Sequence, residues 1–270
     1  MSVTPSRGQL VSIKGNTSLI LVMSRIPVEL IDAVFEHLKD DKPALIACCL
    51  VCKAWVHSSR RLLFDSLILR YRNSGFPPRP TTTGTWPLAI SPYIRRLFLV
   101  EELPPIAWND LLPRIRTLQN LRSFTVTSLP HEILHHPSLI TSFDTITRLH
   151  LSVGRFASFA HLAQIVCIFR HLDTLILSHA QWPRSGPPSA ILSPSHTLRA
   201  LELLDCDWVA FLQWLMSCDH APTLHSLCVR GSFRYGGNAA LLSQILKALG
   251  SHLEKLWLGP EIIEGVCFLA

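Results

Sequence analysis

Residues 172–177 read LDTLIL, an apolar-x-x-apolar-x-apolar pattern that recurs along most of the chain. In a chain that is 48% hydrophobic, a single copy occurs by chance at roughly one position in nine. Seven copies are present, and successive copies begin 25 to 29 residues apart. They begin at Ile94, Leu121, Ile146, Leu172, Leu198, Leu224 and Leu253. Seven copies in a nearly constant register predict a structural repeat in which each copy forms a β-strand.

Segments with helical spacing lie between some of these copies. One apolar stripe consists of Phe156, Phe159, Ala160, Ala163, Val166 and Phe169, and another of Leu241, Leu242, Ile245, Leu246 and Leu249. Strands and helices that alternate at this period predict an α/β solenoid, with a parallel sheet inside the curve and helices outside. A further candidate strand, FDSLIL at residues 64–69, lies 30 residues before the first copy.

The period of this pattern is similar to that of leucine-rich repeats. The asparagine that usually follows the strand in such repeats is missing, so we expect an irregular solenoid. The equivalent positions are Glu102, Leu129, Gly154, Ala180, Cys206, Ser232 and Glu261. Prolines interrupt the register at residues 73–92, which we interpret as a connection, and at residues 181–194, which leave no room for a full helix.

The N-terminal part of the chain follows a different pattern. Residues 26–67 read IPVELIDAVFEHLKDDKPALIACCLVCKAWVHSSRRLLFDSL. Leu30, Ile31, Val34, Phe35 and Leu38 form one stripe of an amphipathic helix. A second helix can begin at residue 43, which is a proline, and a third covers residues 53–64. Because a unit of about 40 residues buries little surface, a partner or the following domain must complete its core.

This N-terminal stretch resembles the F-box, most closely that of fungal members of the family. The resemblance lies in Ile26-Pro27-Val28-Glu29-Leu30, in Leu45, in Val51-Cys52-Lys53 followed by Trp55, and in Leu63-Phe64. It implies docking onto the Skp-type adaptor of a cullin ubiquitin ligase. The adaptor contacts that the resemblance implies are Pro27, Glu29, Leu30, Ile31, Val34, Leu45, Val51, Cys52 and Trp55.

These patterns together predict the organisation of the whole chain. We expect a flexible N-terminal segment at residues 1–25 and an F-box at residues 26–69. A proline-rich connection would follow at residues 70–93, and a leucine-rich-repeat-like solenoid at residues 94–270. Because the last strand leaves a sheet edge open, we expect residues 261–270, a partner or a further part of the protein to cover that edge.

Composition argues against several classes of function. The formal net charge of +6 is dispersed, without the clustered basic stripe that nucleic-acid binding requires. The apolar run at residues 18–23 is too short for a signal peptide or a membrane span. Eight cysteines at apolar positions are typical of free thiols in a reducing compartment. We therefore expect a cytoplasmic or nuclear protein that needs no cofactor.

One motif points towards catalysis. His131, Glu132 and His135 spell H-E-x-x-H, which on a helix can bind zinc and supply a general base. Pro130 and Pro137 leave barely one turn between them, so the helical geometry is disfavoured. We expect no metal site here and keep a zinc hydrolase as the least favoured alternative.

The expected binding surface is the outward face of the repeat strands. Side chains alternate across a strand, so the residue between the last two apolar positions points away from the helices. These residues are Phe98, Thr125, His150, Ile176, Glu202, Cys228 and Trp257. We expect Phe98, His150, Glu202, Arg230 and Trp257 to bind a target protein, unless loops or the C-terminal tail cover the aromatic side chains. The function predicted from the sequence is a substrate receptor of an SCF-type ligase, and the alternative is a scaffold without a role in ubiquitination.

Overall fold

The computed structural model describes residues 27–69, 89–100, 105–127, 143–152, 156, 158–183, 194–218, 223–231 and 238–259. The chain divides between Phe64 and Asp65 into two compact units. We call residues 27–64 the helical module and residues 65–259 the sheet unit. The boundary predicted at residue 69 is therefore wrong by one strand, because residues 66–69 pair with the sheet.

Three helices form the helical module. They are α1 at Val28–His37, α2 at Lys42–Val51 and α3 at Lys53–Leu63. Pro27 precedes α1, where its missing N–H costs nothing. The Asp41 carboxylate accepts a 3.0 Å hydrogen bond from the Ala44 amide and so caps α2. Local sequence thus accounts for where the first two helices begin.

The helical module has a small core. Ile31, Phe35 and Leu45 are its buried apolar residues among those described. The Phe35 ring meets Trp55 edge-on, with ring centroids 5.4 Å apart. This contact joins α1 to α3, and we infer that it fixes the angle between them.

Polar contacts reinforce the packing of α1 on α3. The Ser58 hydroxyl donates a 2.7 Å hydrogen bond to the Asp32 carboxylate. The Arg61 guanidinium lies 3.9 Å from Asp32 and 3.6 Å from Glu36. The helix pair is therefore held by a hydrogen bond to a charged group as well as by apolar contact.

Eight parallel strands form the sheet unit, and they are ordered in the sheet as they are in the chain. They are β1 at Ser66–Leu69, β2 at Arg96–Leu99, β3 at Ser123–Val126, β4 at Arg148–Ser152, β5 at Thr174–Ser178, β6 at Ala200–Leu204, β7 at Ser226–Arg230 and β8 at Lys255–Leu258. All seven copies of the apolar pattern and the earlier candidate contribute a strand. The predicted parallel sheet is confirmed.

Helices cover one face of this sheet. They are α4 at Pro105–Ile115, α5 at Phe159–Ile168, α6 at Trp208–Ser217 and α7 at Asn238–Leu249. Their buried side chains share one continuous core with alternate strand residues such as Leu97, Leu149 and Leu201. The stripes predicted around residues 159 and 242 correspond to α5 and α7. Between β5 and β6, the described residues 179–183 and 194–199 contain no helix.

Side-chain hydrogen bonds link neighbouring repeats just before β3, β4 and β6. Asn120 donates to the Pro92 carbonyl at 2.7 Å, Thr145 to the Leu121 carbonyl at 2.7 Å, and Thr197 to the Leu172 carbonyl at 3.0 Å. Each donor immediately precedes a copy of the apolar pattern. These bonds tie successive repeats together although the asparagine expected after the strand is missing.

The turn after the strand repeats as well. His179, Asp205 and Gly231 follow β5, β6 and β7 at 26-residue intervals, and all three have positive φ. At φ values of 53° and 51°, His179 and Asp205 adopt the left-handed conformation that polar residues tolerate. Gly231 has a φ of 142°, and a Cβ there would lie 3.3 Å from the Asp205 Cα. Glycine is therefore required at this position.

Candidate functional site

The helical module exposes apolar side chains on two of its helices, and we call this set of residues the aliphatic surface. It consists of Leu30 and Val34 on α1 and of Ile46, Leu50 and Val51 on α2. Leu30 is 59% exposed and Leu50 is 84% exposed. Leu30 and Val34, like Ile46 and Leu50, lie one turn apart on their helix and therefore share a face.

These five residues are half of the exposed large apolar side chains in the described part of the chain. The helical module is much the smaller of the two units, so the exposure is concentrated there. Single exposed apolar residues are ordinary, but a group of this kind typically marks a contact surface.

The predicted adaptor contacts fall into two groups. Pro27, Glu29, Leu30, Val34 and Val51 are exposed. Ile31 and Leu45 are buried in the core of the module, and Cys52 and Trp55 are half-buried. The buried pair holds the helices in place and is covered by them.

Ile46 and Leu50 were not among the predicted contacts. Their i, i+4 spacing would have suggested a shared face, but neither residue lies at a position that carries the F-box resemblance. Cys48 and Cys49 are half-buried, and burial is the largest cause that raises the pKa of the Cys48 thiol.

The second candidate surface is the face of the sheet opposite the helices, which we call the open face. Strand register places the predicted outward residues in a single row, with the β1 residue at its start. The row reads Ile68, Phe98, Thr125, His150, Ile176, Glu202, Cys228 and Trp257. Burial alternates as predicted in β2, β3, β4, β6 and β7. In β5 the outward residue Ile176 is buried as well, and in the edge strand β8 both Leu256 and Trp257 are exposed.

The residues predicted to bind a target differ in their accessibility. Trp257 is 49% exposed on the edge strand β8, and Arg230 is exposed at the end of β7. Phe98, His150 and Glu202 are half-buried by their neighbours in the row. All five lie on one face, while Phe98 and Trp257 stand at opposite ends of it.

A polar group occupies the middle of the open face. The His150 Nε2 atom lies 3.0 Å from the Ser178 hydroxyl, and Ser178 is itself buried. Burial lowers the pKa of His150, Glu202 opposes that shift, and Arg148 adds to it. We therefore expect a neutral imidazole at pH 7. Ser178 was not predicted, because it comes from the neighbouring strand and lies 28 residues away in the chain.

The H-E-x-x-H motif at residues 131–135 lies outside the described residues. Within the described ranges, no group of three or more histidine, cysteine, aspartate or glutamate side chains could hold a metal ion. In the same ranges, no helix is both long and apolar enough to span a membrane.

Comparison with known proteins gives little further information. No protein-family model matches the chain, and no curated protein matches it. Among solved structures it is similar to an internalin from Listeria monocytogenes, with 16% sequence identity and a TM-score of 0.32. The match covers 67% of this chain and 53% of the internalin chain, so this chain spans about half the length of that protein. The two surfaces described above are therefore the features of this chain that indicate a function.

Proposed function

We propose that this protein is a substrate receptor of an SCF-type cullin ubiquitin ligase. The helical module docks on the Skp-type adaptor, and the open face of the sheet unit binds a target protein. The aliphatic surface is the observation that carries the proposal. It occurs in the segment whose sequence resembles the F-box, and three of its residues, Leu30, Val34 and Val51, are also adaptor contacts that the resemblance implies.

The energetics favour a partner on this surface. Fully burying an aliphatic side chain of this size stabilises a complex by about 1.5–3 kcal/mol relative to leaving it in water. Helix α1 is already braced against α3 by the Phe35–Trp55 contact and by the Ser58–Asp32 hydrogen bond, and α2 contributes the buried Leu45 to the same core. Docking would therefore need little ordering of the backbone, which keeps its entropic cost low.

In this proposal the chain contributes proximity and performs no bond-making step, and it needs neither a cofactor nor a metal. A target held by the sheet unit would present its lysines to the charged conjugating enzyme at a high effective concentration. Nucleic acid and membrane have no role in it.

The test uses exposed residues, so that loss of binding cannot be ascribed to unfolding. Leu30→Ala, Val34→Ala and Leu50→Ala are combined in the full chain, and the affinity for purified Skp-type adaptor is measured by calorimetry. We expect the affinity to fall by about a hundredfold or more, because several contacts of the aliphatic surface are lost together. Circular dichroism monitors folding.

Met216→Ala is the matched control, since Met216 is an exposed apolar residue on a helix of the sheet unit. It should leave adaptor affinity unchanged. A folded triple variant that binds the adaptor as tightly as the wild type would refute the docking assignment. Pull-down of cullin, together with accumulation of a target when the protein is deleted, separates a receptor from a scaffold.

A further inference from the structure

The residues that immediately precede the eight strands form a column along one edge of the sheet. In strand order the column reads Asp65, Arg95, Arg122, Thr147, Asp173, Arg199, His225 and Glu254. From Arg95 onwards, the backbone N–H of each residue donates to the carbonyl of the residue before it in the column. Successive side chains therefore start about 4.8 Å apart.

The two halves of this edge differ in charge. Beside β5 to β8 the charges balance: Asp173 lies 3.9 Å from Arg199, and Glu254 lies 3.1 Å from His225. Lys255 adds a further positive charge, so the formal charges of Arg199 and Lys255 match those of Asp173 and Glu254. This half has no net charge to offer a partner.

Beside β2 to β4 the charges do not balance. Arg95 and Arg122 belong to the column, and Arg96 and Arg148 begin β2 and β4 on the open face. All four arginines are exposed, and together with Asp65 they give a local net charge of +3. We call these four residues the arginine edge.

Among the described residues, three of the four arginines in the arginine edge have no acidic partner. Arg96 is paired with Asp65, whose carboxylate lies 2.6 Å from the Arg96 Nε. The Arg122 guanidinium donates to the Thr145 carbonyl at 3.3 Å. Within the part of the chain that the structure describes, no ion pair involves Arg95, Arg122 or Arg148. The Asp65 contact shows that a carboxylate can approach this edge closely.

An apolar strip adjoins the arginine edge. Phe98 lies two residues beyond Arg96 on the same face, and Ile68 is its register partner on β1. Ile68 is 55% exposed. A ligand with carboxylates over the arginines could therefore place an aliphatic side chain on Ile68 and Phe98, about 7 Å away.

We propose that the arginine edge binds an acidic segment of the target protein, in extended conformation, with an apolar residue next to its carboxylates. This inference rests on the proposed function and specifies what the sheet unit recognises. Arginine binds carboxylates through paired, charge-assisted hydrogen bonds, which are about twice as strong as neutral ones.

The dimensions favour a peptide over a nucleic acid. Arg96 and Arg148 are two strands apart, about 10 Å, which an extended peptide spans with about three residues. Beyond β4 the same edge carries Asp173 and Glu254, and the open face carries Glu202. A uniformly charged phosphate backbone running along the edge would meet these carboxylates.

The test measures peptide binding by the full chain. A short fluorescein-labelled peptide with glutamates around a central leucine is titrated by fluorescence anisotropy, and its glutamine counterpart and an oligothymidine of equal charge serve as comparisons. We expect the glutamate peptide to bind at least tenfold more tightly than either comparison. Equal affinity for the glutamine peptide, or tighter binding of the oligothymidine, would overturn the proposal.

Arg122→Gln combined with Arg148→Gln should weaken binding of the glutamate peptide by about tenfold or more. The matched control is Arg199→Gln combined with Lys255→Gln. It also removes two positive charges, one from the residue that precedes a strand and one from the first residue of a strand. These two residues lie beside β6 and β8, where positive and negative charges balance. This control should change the affinity less than twofold, and an equal loss in both double variants would overturn the assignment to the arginine edge.

Adaptor binding is measured on the same variants. The Arg122 and Arg148 substitutions should leave adaptor affinity unchanged. If the wild-type protein binds the glutamate peptide but not the adaptor, the proposed function fails and this inference stands. If it binds the adaptor but not the glutamate peptide, this inference fails and the proposed function stands.

Discussion

The two units of this protein differ in how completely they bury their apolar residues. In the sheet unit, 42 of the described residues form one continuous buried core. In the helical module the corresponding core contains three, Ile31, Phe35 and Leu45. Yet the module exposes as many large apolar side chains as the whole described part of the sheet unit.

This difference reflects how each unit is built. Each repeat of the sheet unit covers its neighbours, so burial accumulates along the sheet and exposure is greatest at its ends. Leu256 on the edge strand β8 is 45% exposed, although its register partner Leu227 on β7 is buried. Three short helices have no such neighbours and leave apolar surface in water. The repeat unit can therefore be stable by itself, whereas the module is suited to a partner.

Truncation of the sheet core should produce the largest effect. Phe211 is fully buried on α6, with its ring centroid 5.2 Å from that of Trp214 and 6.2 Å from that of Phe159. Phe211→Ala should lower the free energy of unfolding by about 3–5 kcal/mol, because it leaves a cavity among these rings. Urea unfolding followed by tryptophan fluorescence measures the change.

Leu50→Ala supplies the contrast, since it truncates an exposed residue of the helical module. It should change the free energy of unfolding by less than about 0.5 kcal/mol. If Leu50→Ala cost as much as Phe211→Ala, the aliphatic surface would have to be covered by the protein itself, and the comparison would fail.

A smaller effect is expected from truncating the core of the helical module. Phe35→Ala removes one of its three buried apolar residues together with the contact to Trp55. The loss in unfolding free energy cannot exceed the stability of the helical module itself. A unit of this size has low stability. We expect hydrogen exchange of the full chain to show lost protection at residues 28–63 and unchanged protection in the strands. Equal loss in both units would mean that they unfold as one.

Much of the fold could be predicted because its periodicity is local. An apolar-x-x-apolar-x-apolar pattern determines which side of a strand is buried, so all eight strands were located. Helices α5 and α7 also showed clear stripes. Helix α6 was not predicted, because most of its residues are apolar and show no clear polar face. Helix α4 was not predicted either, because it contains Pro113, which argues against a helix.

The candidate site was only partly predictable, because it depends on register between distant residues. The arginines at positions 95, 96, 122 and 148 look dispersed in the sequence, with no basic run longer than two residues. The repeat already gives Arg96 and Arg148 the same outward position in their copies, and the pairing of β2, β3 and β4 shows that Arg95 and Arg122 lie beside them at one edge. The His150–Ser178 contact has the same origin. Neighbours across a sheet lie one repeat apart in the chain, and no local pattern encodes them.

The smallest expected effect concerns the pH dependence contributed by His150. Burial lowers the pKa of His150 below its ordinary value of 6.5, although Glu202 nearby favours the charged form and Arg148 disfavours it. The unfolded chain therefore binds the proton more readily than the folded one. The stabilisation contributed by the neutral imidazole is complete above the unfolded pKa and is lost as pH falls through and below it.

His150→Gln should remove this contribution and can still hydrogen-bond Ser178. Between about pH 7.5 and about pH 5.5, wild-type protein should lose more unfolding free energy than the variant, and urea titrations at both pH values measure the difference. The other histidines are common to both proteins, so their titration cancels in the comparison. Because His150 is only half-buried, solvent screens part of its charge, and the difference should be far smaller than that caused by Phe211→Ala. An identical pH dependence in both proteins would show that the imidazole is as well solvated when folded as when unfolded, and that the middle of the open face is wetter than its burial indicates.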